Sequence, residues 1–299
     1  MDKRRGKFDL QTSSYYIMLA PFIIIFFVFM IIPIIAAVFI SFTDFNMLQV
    51  PNVVGFDNYI RLFISDNIFF IALRNTLITA VITGPVGYIL SFVLAWFINE
   101  FSRPVRSLLT FLVYSPVLCG NTFVIWQYIF ASDSRGFINN VLIKVGLASD
   151  PISWLTDERY NFAVVIIVTV WMSFGAGFLS FISGLQSLDR SLFEAAAVDG
   201  LENRWQELYY VTLPQMKNFL LFGAVQSISG AFSVGVVNRA LTGFPSTNYS
   251  THTLILHMQD FGHTRFEMGY ASAIAVVLFV IMLGSWFLIN HILNKVTGE

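Results

Sequence analysis

Six uninterrupted apolar stretches leave this chain few ways to fold. They run over 15–42, 71–98, 107–131, 161–184, 219–238 and 270–293, and together take up half of the 299 residues. Each reaches the ~20 residues that a helix needs to cross a bilayer. None alternates apolar and polar side chains with a period of two, so barrel strands are a poorer reading than helices. The composition agrees, with 56% apolar residues, 32 phenylalanines and only 12% charged residues. Mean hydropathy is +0.71. A soluble domain carries about 25% charged residues, and one of this length could not hide so much apolar surface. An ordinary cytosolic enzyme and a disordered chain are both excluded, and the chain reads as an all-α integral membrane protein. Seventeen basic against eighteen acidic residues leave a net charge of −1, so nothing draws the chain to nucleic acid. The single cysteine, Cys119, allows neither a disulfide nor a cysteine metal cluster within the chain.

The first stretch is the one that could be mistaken for a cleaved leader. Lys3, Arg4, Arg5 and Lys7 precede it. Its apolar run, however, far exceeds the ~7–15 residues of a signal core, and no small-residue cleavage site closes it. It reads as a retained span. Six spans place both ends on one side. With the ends inside, ten basic residues face the cytoplasm: Lys3, Arg4, Arg5, Lys7, Arg103, Arg106, Arg190, Arg204, Lys217 and Lys295. Seven face outward, namely Arg61, Arg74, Arg135, Lys144, Arg159, Arg239 and Arg265. The excess, and the cluster of four beside the first span, set that orientation.

The spans differ in character. Span one is almost wholly Ile, Phe, Val and Met between Phe22 and Ile32, a surface suited to lipid. Spans four and five carry Thr169, Ser173, Gly175, Ala176, Gly177, Gly223, Gln226, Ser227, Gly230, Ala231, Ser233 and Gly235. Small residues let helices approach closely, and polar ones inside a bilayer need partners or water. These two spans are expected inside the bundle, lining a solute path. Pro33, Pro85 and Pro116 allow kinks whose freed carbonyls must be satisfied internally. No repeat and no low-complexity linker divides the chain, so 1–299 reads as one domain.

The inner segment 186–218 is expected to be helical. Arg190 to Val198 is rich in Ala and Leu, and Gly200 is a natural stop. A second short helical pattern runs over 202–211, before Pro214 at the mouth of span five. Leu188, Leu192 and Ala195 or Ala196 share one face, and Phe193, Ala197 and Leu201 another. Two short helices joined at an angle by a glycine, this apolar and with few basic residues, suit a protein partner better than lipid headgroups.

In this segment Glu194-Ala195-Ala196, then Asp199-Gly200, then Leu213-Pro214, resemble the EAA loop of permease subunits in binding-protein-dependent ABC importers. Further stretches are similar to the carbohydrate branch, the maltose and glycerol-phosphate type. They are Ala20-Pro21, Pro33, Ser41-Phe42-Thr43-Asp44, Gly55-Phe56-Asp57-Asn58-Tyr59, Asn75-Thr76, Gly269-Tyr270-Ala271-Ser272-Ala273 and Leu278-Phe279. The resemblance covers essentially the whole chain. It implies a six-span type I ABC importer permease fold in a bacterial or archaeal cytoplasmic membrane. It implies coupling helices, built here from Leu192, Phe193, Glu194, Ala195, Ala196, Asp199, Gly200, Leu213 and Pro214, that dock into a cytoplasmic ATPase. The implied partners are a second homologous permease, a dimer of ATP-binding subunits and an extracytoplasmic solute-binding protein. The implied cargo is a sugar or oligosaccharide. The implied path residues are Trp171, whose ring offers a face to a sugar, with Ser173, Ala176, Ser227, Gly230 and Ala231. The stretch 227–234 departs from the maltose-type pattern in having no amide. That leaves open whether solute is held here or shared with the partner permease.

Several chemistries are missing. No glycine-rich phosphate loop is present; the one Gly-Lys, Gly6-Lys7, is followed by Phe8. No nucleophile elbow or HExxH occurs, and no catalytic residue, metal or cofactor is assigned. His252, His257 and His263 do not have a metal spacing and read as solvated loop residues, as do Asp133, Asp157, Glu158, Asp260 and Glu267. Spans four and five contain no Arg or Lys, which favours a neutral solute over a glycerol phosphate. A polyol is a further candidate. A stand-alone secondary transporter would want ionisable groups within its spans, and these have almost none. The purified chain alone is expected to release no phosphate from ATP, and a coupled phosphate assay on contaminant-free protein checks this.

Overall fold

Residues 10–119 and 122–297 are described here in a computed structural model. The basic cluster Lys3, Arg4, Arg5 and Lys7 lies outside the described residues. Among those described, the chain is helical and has no strand, only an isolated bridge between Thr43 and Val53. Four helices are long and apolar enough to cross a membrane: Met18–Ile40, Asn67–Asn99, Asn161–Ser187 and Met268–His291. Two further pairs pass that test together but are broken, and counting each as one span raises the number to six.

In chain order the first stretch is α1 (Leu10–Phe26), a π-helical turn (Phe27–Ile31) and α2 (Ile32–Ile40). Then come α3 (Asp57–Ile60), α4 (Asn67–Asn99), α5 (Arg103–Leu118) and α6 (Phe123–Ile129). Next are α7 (Phe137–Lys144), α8 (Asn161–Met172) and α9 (Ala176–Ser187). The elbow follows as α10 (Arg190–Val198), α11 (Arg204–Glu207), a π-helical turn (Leu208–Thr212) and α12 (Leu213–Gln215). The chain ends in α13 (Lys217–Phe232), α14 (Val236–Thr242), α15 (Leu254–Gln259) and α16 (Met268–Thr297). The stretches 71–98 and 270–293 each lie within one helix, α4 and α16, whereas 15–42 extends past the end of α2 at Ile40 and 107–131 is divided between α5 and α6. What periodicity could not show is the breaks. The stretch 161–184 parts at Ser173–Gly175 and the stretch 219–238 at Ser233–Gly235, the latter with a bend of 42°. Pro85, by contrast, sits inside α4 without ending it.

The chain packs as two units. The smaller comprises residues up to 65 together with 258–277. Met18–Ile40 buries none of its apolar window against the rest of the chain. Below it the side-chain amide of Asn58 donates to the carbonyls of Ser41 and Thr43, each at 2.8 Å. Asp44 accepts from the backbone and side chain of Asn52, which holds its carboxyl below the ordinary range. Arg61 pairs with Glu267 and lies 4.2 Å over the Tyr270 ring. Arg265 pairs with Asp260 at 2.7 Å. Glu267 and Asp260 are therefore engaged rather than merely solvated, because an arginine stands against each.

The larger unit comprises 66–257 and 278 onward. Asp66 starts α4 by accepting from the Phe69 amide, an N-cap bond that satisfies one of the first turn's free donors. At the centre α4, α9 and α13 pack side by side. Close approach is licensed by glycine. A Cβ built on Gly177 would sit 3.5 Å from the Cα of Gly223, and one on Gly223 would sit 2.3 Å from Phe181 Cζ. Phe181 cannot yield, since Tyr88 and Phe92 meet it edge-on at 5.4 and 5.6 Å. These rings, with Phe178, Ile182, Leu185 and Met216, form one apolar core near the elbow. Val164, Val165, Val168, Phe130, Val234, Val237 and Leu241 form another toward the opposite end. His252 and His257, expected in solvent, are instead 2% exposed. The segment carrying them is folded under α4 by the Asn75 amide, which donates to the carbonyls of Tyr249, Ser250 and His252.

Gly223→Val should drive a branched side chain into Phe181 and cost about 1–3 kcal/mol, as overpacking does. A lower melting temperature of the detergent-solubilised protein is expected. Gly284→Ala, where nothing lies within 4 Å of a new Cβ, should leave it unchanged.

Candidate functional site

The two helix breaks open onto one cavity. Between α8 and α9 the chain leaves helical geometry at Gly175, with φ −100° and ψ −140°. Between α13 and α14 it does so at Gly235, with φ −146° and ψ −39°. Gly235 must be glycine, since a Cβ there would stand 2.7 Å from Ile255. Broken helices free backbone carbonyls and amides, which inside a membrane are tolerated only where they are buried in protein or line a wet cavity. Such a cavity is present, about 270 Å³ in volume and walled by α4, α8, α9, α13 and the two breaks.

Five of the six expected path residues line it: Ser173, Ala176, Ser227, Gly230 and Ala231. Trp171 does not. Its ring packs edge-on against Trp126 with centroids 5.1 Å apart, an aromatic pair beside the cavity. Sequence reasoning missed Thr83 and Ser91 on α4 and did not place Thr169, Gln226 and Ser233 on the same wall. A signal existed on α4. Thr76, Thr79, Thr83, Gly87 and Ser91 recur at intervals of three and four, which puts small and polar groups on one helix face. The hydroxyls of Thr83 and Thr169 are buried with no hydrogen-bond partner among the described residues. Gln226 supplies the amide that 227–234 lacks, one residue earlier. No charged side chain lines the cavity.

At the end of the larger unit near Asn99, Arg103 and Ser187 lies the elbow. Asp189 caps α10 by accepting from the Ser191 amide at 3.0 Å, and that bond holds its carboxyl below the usual range. Helix α10 stops at Gly200, whose φ of +95° favours glycine. Asn203 then caps α11, accepting from Trp205 and Gln206. Arg204 clamps the corner, bonding Glu207 at 2.9 Å and Glu100, just past α4, at 2.9 Å. The second arm runs through Leu208–Thr212 into Leu213 and Pro214, and buried Met216 marks the turn into α13.

A family model described as "Binding-protein-dependent transport system inner membrane component" matches residues 85–297, which span the cavity and the elbow. The chain belongs to this family. It is a transport-system component of the inner membrane, with the type I ABC importer permease fold. Among curated relatives it is 32% identical to the probable ABC transporter permease protein YesP of Bacillus subtilis, over 89% of this chain and 86% of that one. It is 30% identical to the lactose transport system permease protein LacF of Rhizobium radiobacter, over 90% and 89%. Among solved structures it resembles a chain of a bacterial alginate ABC transporter in complex with an alginate pentasaccharide-bound periplasmic protein. The identity is 26% and the TM-score 0.76, with 99% of each chain covered.

In this permease the elbow's motif residues divide by exposure. Ala196 is buried, and Phe193 and Leu213 are half-buried against the body of the unit. Leu192, Glu194, Ala195, Asp199, Gly200 and Pro214 are exposed. So are two apolar residues the motif does not contain, Val198 at 87% and Trp205 at 68%. Val198 and Trp205 thus place apolar surface on the same elbow as the motif glutamate. A cavity lined by these small polar residues makes a further expectation. Cysteines placed at Ser173, Ser227 and Gly230 in a Cys119→Ser background should react with a membrane-impermeant maleimide. A cysteine at Phe29, on the unburied first helix, should not.

Proposed function

We propose that this permease carries a sugar or oligosaccharide inward across the cytoplasmic membrane by alternating access, driven by ATP hydrolysed on a separate subunit. The observation that carries this reading is the chemistry of the cavity. Its walls offer hydroxyls from Thr83, Thr169, Ser173, Ser227 and Ser233, an amide from Gln226 and the backbone of two breaks, and no charge. Such a lining matches a neutral polyhydroxylated molecule, in which each polar group needs a partner once desolvated. The lactose and alginate transporters among its relatives support a carbohydrate. Alginate is acidic, and the absence of Arg and Lys from this cavity favours neutral cargo over acidic cargo here.

The rest of the machine follows from what the chain leaves uncovered. With each broken pair taken as one span, six spans put both ends and the elbow in the cytoplasm. A first helix that buries none of its apolar window supports a second homologous permease that completes the path. The elbow residues Leu192, Phe193, Glu194, Ala195, Ala196, Asp199, Gly200, Leu213 and Pro214 form the coupling helices. They seat in a dimer of ATP-binding subunits, to which Val198 and Trp205 add apolar contact. An extracytoplasmic binding protein delivers cargo, as the periplasmic protein in the alginate complex suggests. Closure of the ATPase dimer moves the elbow as a stiff lever, because Arg204 fastens it to both Glu207 and Glu100. The helices then shift between two packings that open the cavity to one side or the other. No covalent step falls to this chain.

Glu194→Lys should abolish uptake while membrane level stays normal. The folding cost of an exposed substitution is usually within ~0.5 kcal/mol, whereas a like-charge contact at an interface costs several kcal/mol. Radiolabelled sugar uptake, ATPase co-purification and immunoblotting of membranes read the three quantities together. Normal uptake by this variant would remove the coupling role.

A further inference from the structure

A basic cleft of about 510 Å³ lies in the larger unit between α5 and the end of α9, apart from the cavity at the breaks. Arg103 and Arg106 line it from the first four residues of α5, and Gln186 from the last turn of α9. No acidic side chain lines it. Arg106 donates to the Asn99 side chain at 2.7 Å. Neither arginine has a carboxylate partner among the described residues. The neighbouring elbow cavity does hold Glu100, Glu194 and Glu207, but Arg204 takes the first and last of these. A helix start already carries partial positive charge, and the N-cap residue Ser102 puts no side-chain acceptor on it. Two cations and the positive end of a helix thus converge on one cleft.

The cleft changes character with depth. Arg103, Arg106, Ser107, Thr110 and Tyr114 stand three and four residues apart, on one face of α5. The other face carries Val105, Leu108 and Leu112, exposed and apolar. At about 1.5 Å of rise per residue, Thr110 lies about 10 Å further along the span than Arg103. Its hydroxyl is buried with no hydrogen-bond partner among the described residues. Around that depth the walls turn apolar, with Phe111 from α5 and Leu179 and Ile182 from α9. Charge at the end of the span, a hydroxyl two turns in and hydrocarbon beside it follow the order of phosphate, glycerol ester and acyl chain.

We infer that this cleft binds one anionic phospholipid. Its phosphate sits on Arg103 and Arg106, whose N–H forks match phosphate oxygens. An ester carbonyl accepts from the Thr110 hydroxyl, and an acyl chain lies against Phe111, Leu179 and Ile182. Basic pockets between spans on the cytoplasmic side suit such head groups. That the lipid belongs to the inner leaflet rests on the cytoplasmic placement of the elbow proposed above; the binding itself does not. Helix α9 ends at Ser187, two residues before the cap of α10, so a seated lipid joins the root of the elbow to α5.

The test is native mass spectrometry of the full chain with phosphatidylglycerol and with phosphatidylcholine of the same acyl chains, of which only the first carries net charge. Phosphatidylglycerol should bind about tenfold more tightly, the order that two arginines near a membrane surface supply. Arg103→Gln with Arg106→Gln should cut that preference below about twofold. Arg135→Gln, at an exposed arginine outside the cleft, should leave it intact. Soluble glycerol phosphate in large excess should leave the lipid bound; its displacing the lipid would make this a site for a free phosphate ester and overturn the inference. Benzoylphenylalanine placed at Phe111 should crosslink phosphatidylglycerol in preference to phosphatidylcholine, and placed at Leu108 should crosslink both alike. Equal affinity of the wild-type chain for the two lipids overturns the inference without any variant. So does a preference retained in the double glutamine variant, or equal crosslinking at Phe111. Uptake is not read, so failure here leaves the importer reading standing, and failure of the uptake test leaves the lipid site standing.

Discussion

Every backbone amide and carbonyl in hydrocarbon must find a partner, and this constraint sets where the permease can do anything at all. Continuous helix satisfies it automatically, which is why α4 and α16 run for about thirty residues without incident. Where the helices stop, other groups must take over. At Ser173–Gly175 and Ser233–Gly235 turn bonds and the Thr253 hydroxyl on the Val234 carbonyl do so, and both breaks face one cavity walled by α4, α9 and α13. Glycine appears on both sides of that arrangement. Gly184 and Gly223 let helices touch. Gly235 lets a helix stop against Ile255.

The pattern of apolar residues carried the membrane class, the helical segments and the elbow. Those features depend on local properties: run length, helix propensity, a capping aspartate and a glycine with positive φ. Long-range facts were not legible. Ser173 and Ser227 could be grouped on one wall because they lie on two spans rich in small residues. Thr83 and Ser91 were overlooked because α4 is otherwise apolar, and three or four hydroxyls scattered over 33 residues look like ordinary packing. Trp171 had a partner that the sequence did not show: Trp126, forty-five residues away in sequence, meets it edge-on. His252 and His257 looked solvated because they sit between turn-forming residues. Only the fold shows that Asn75, some 177 positions earlier, draws their segment inside.

The elbow combines stiffness and exposure. Two polar caps, one glycine and a two-way arginine clamp fix its shape with little apolar core of its own. Each of these bonds lies near solvent, where single pairs contribute modestly. Together they fix a direction rather than add much stability. Its exposed face, with Val198 and Trp205 beside Glu194, is then available for contact without being needed for folding.

The division into two units has a consequence for synthesis. The smaller unit is assembled from the segment before residue 66 and from 258–277, and the whole first wall of the larger unit is made in between. Arg61 therefore leaves the ribosome long before Glu267 and Tyr270 exist to receive it. At ~5–20 residues per second, the intervening stretch of nearly two hundred residues keeps that arginine waiting for tens of seconds. The contacts of Arg61 thus wait on a segment that the chain reaches only after residues 66–257 have been made.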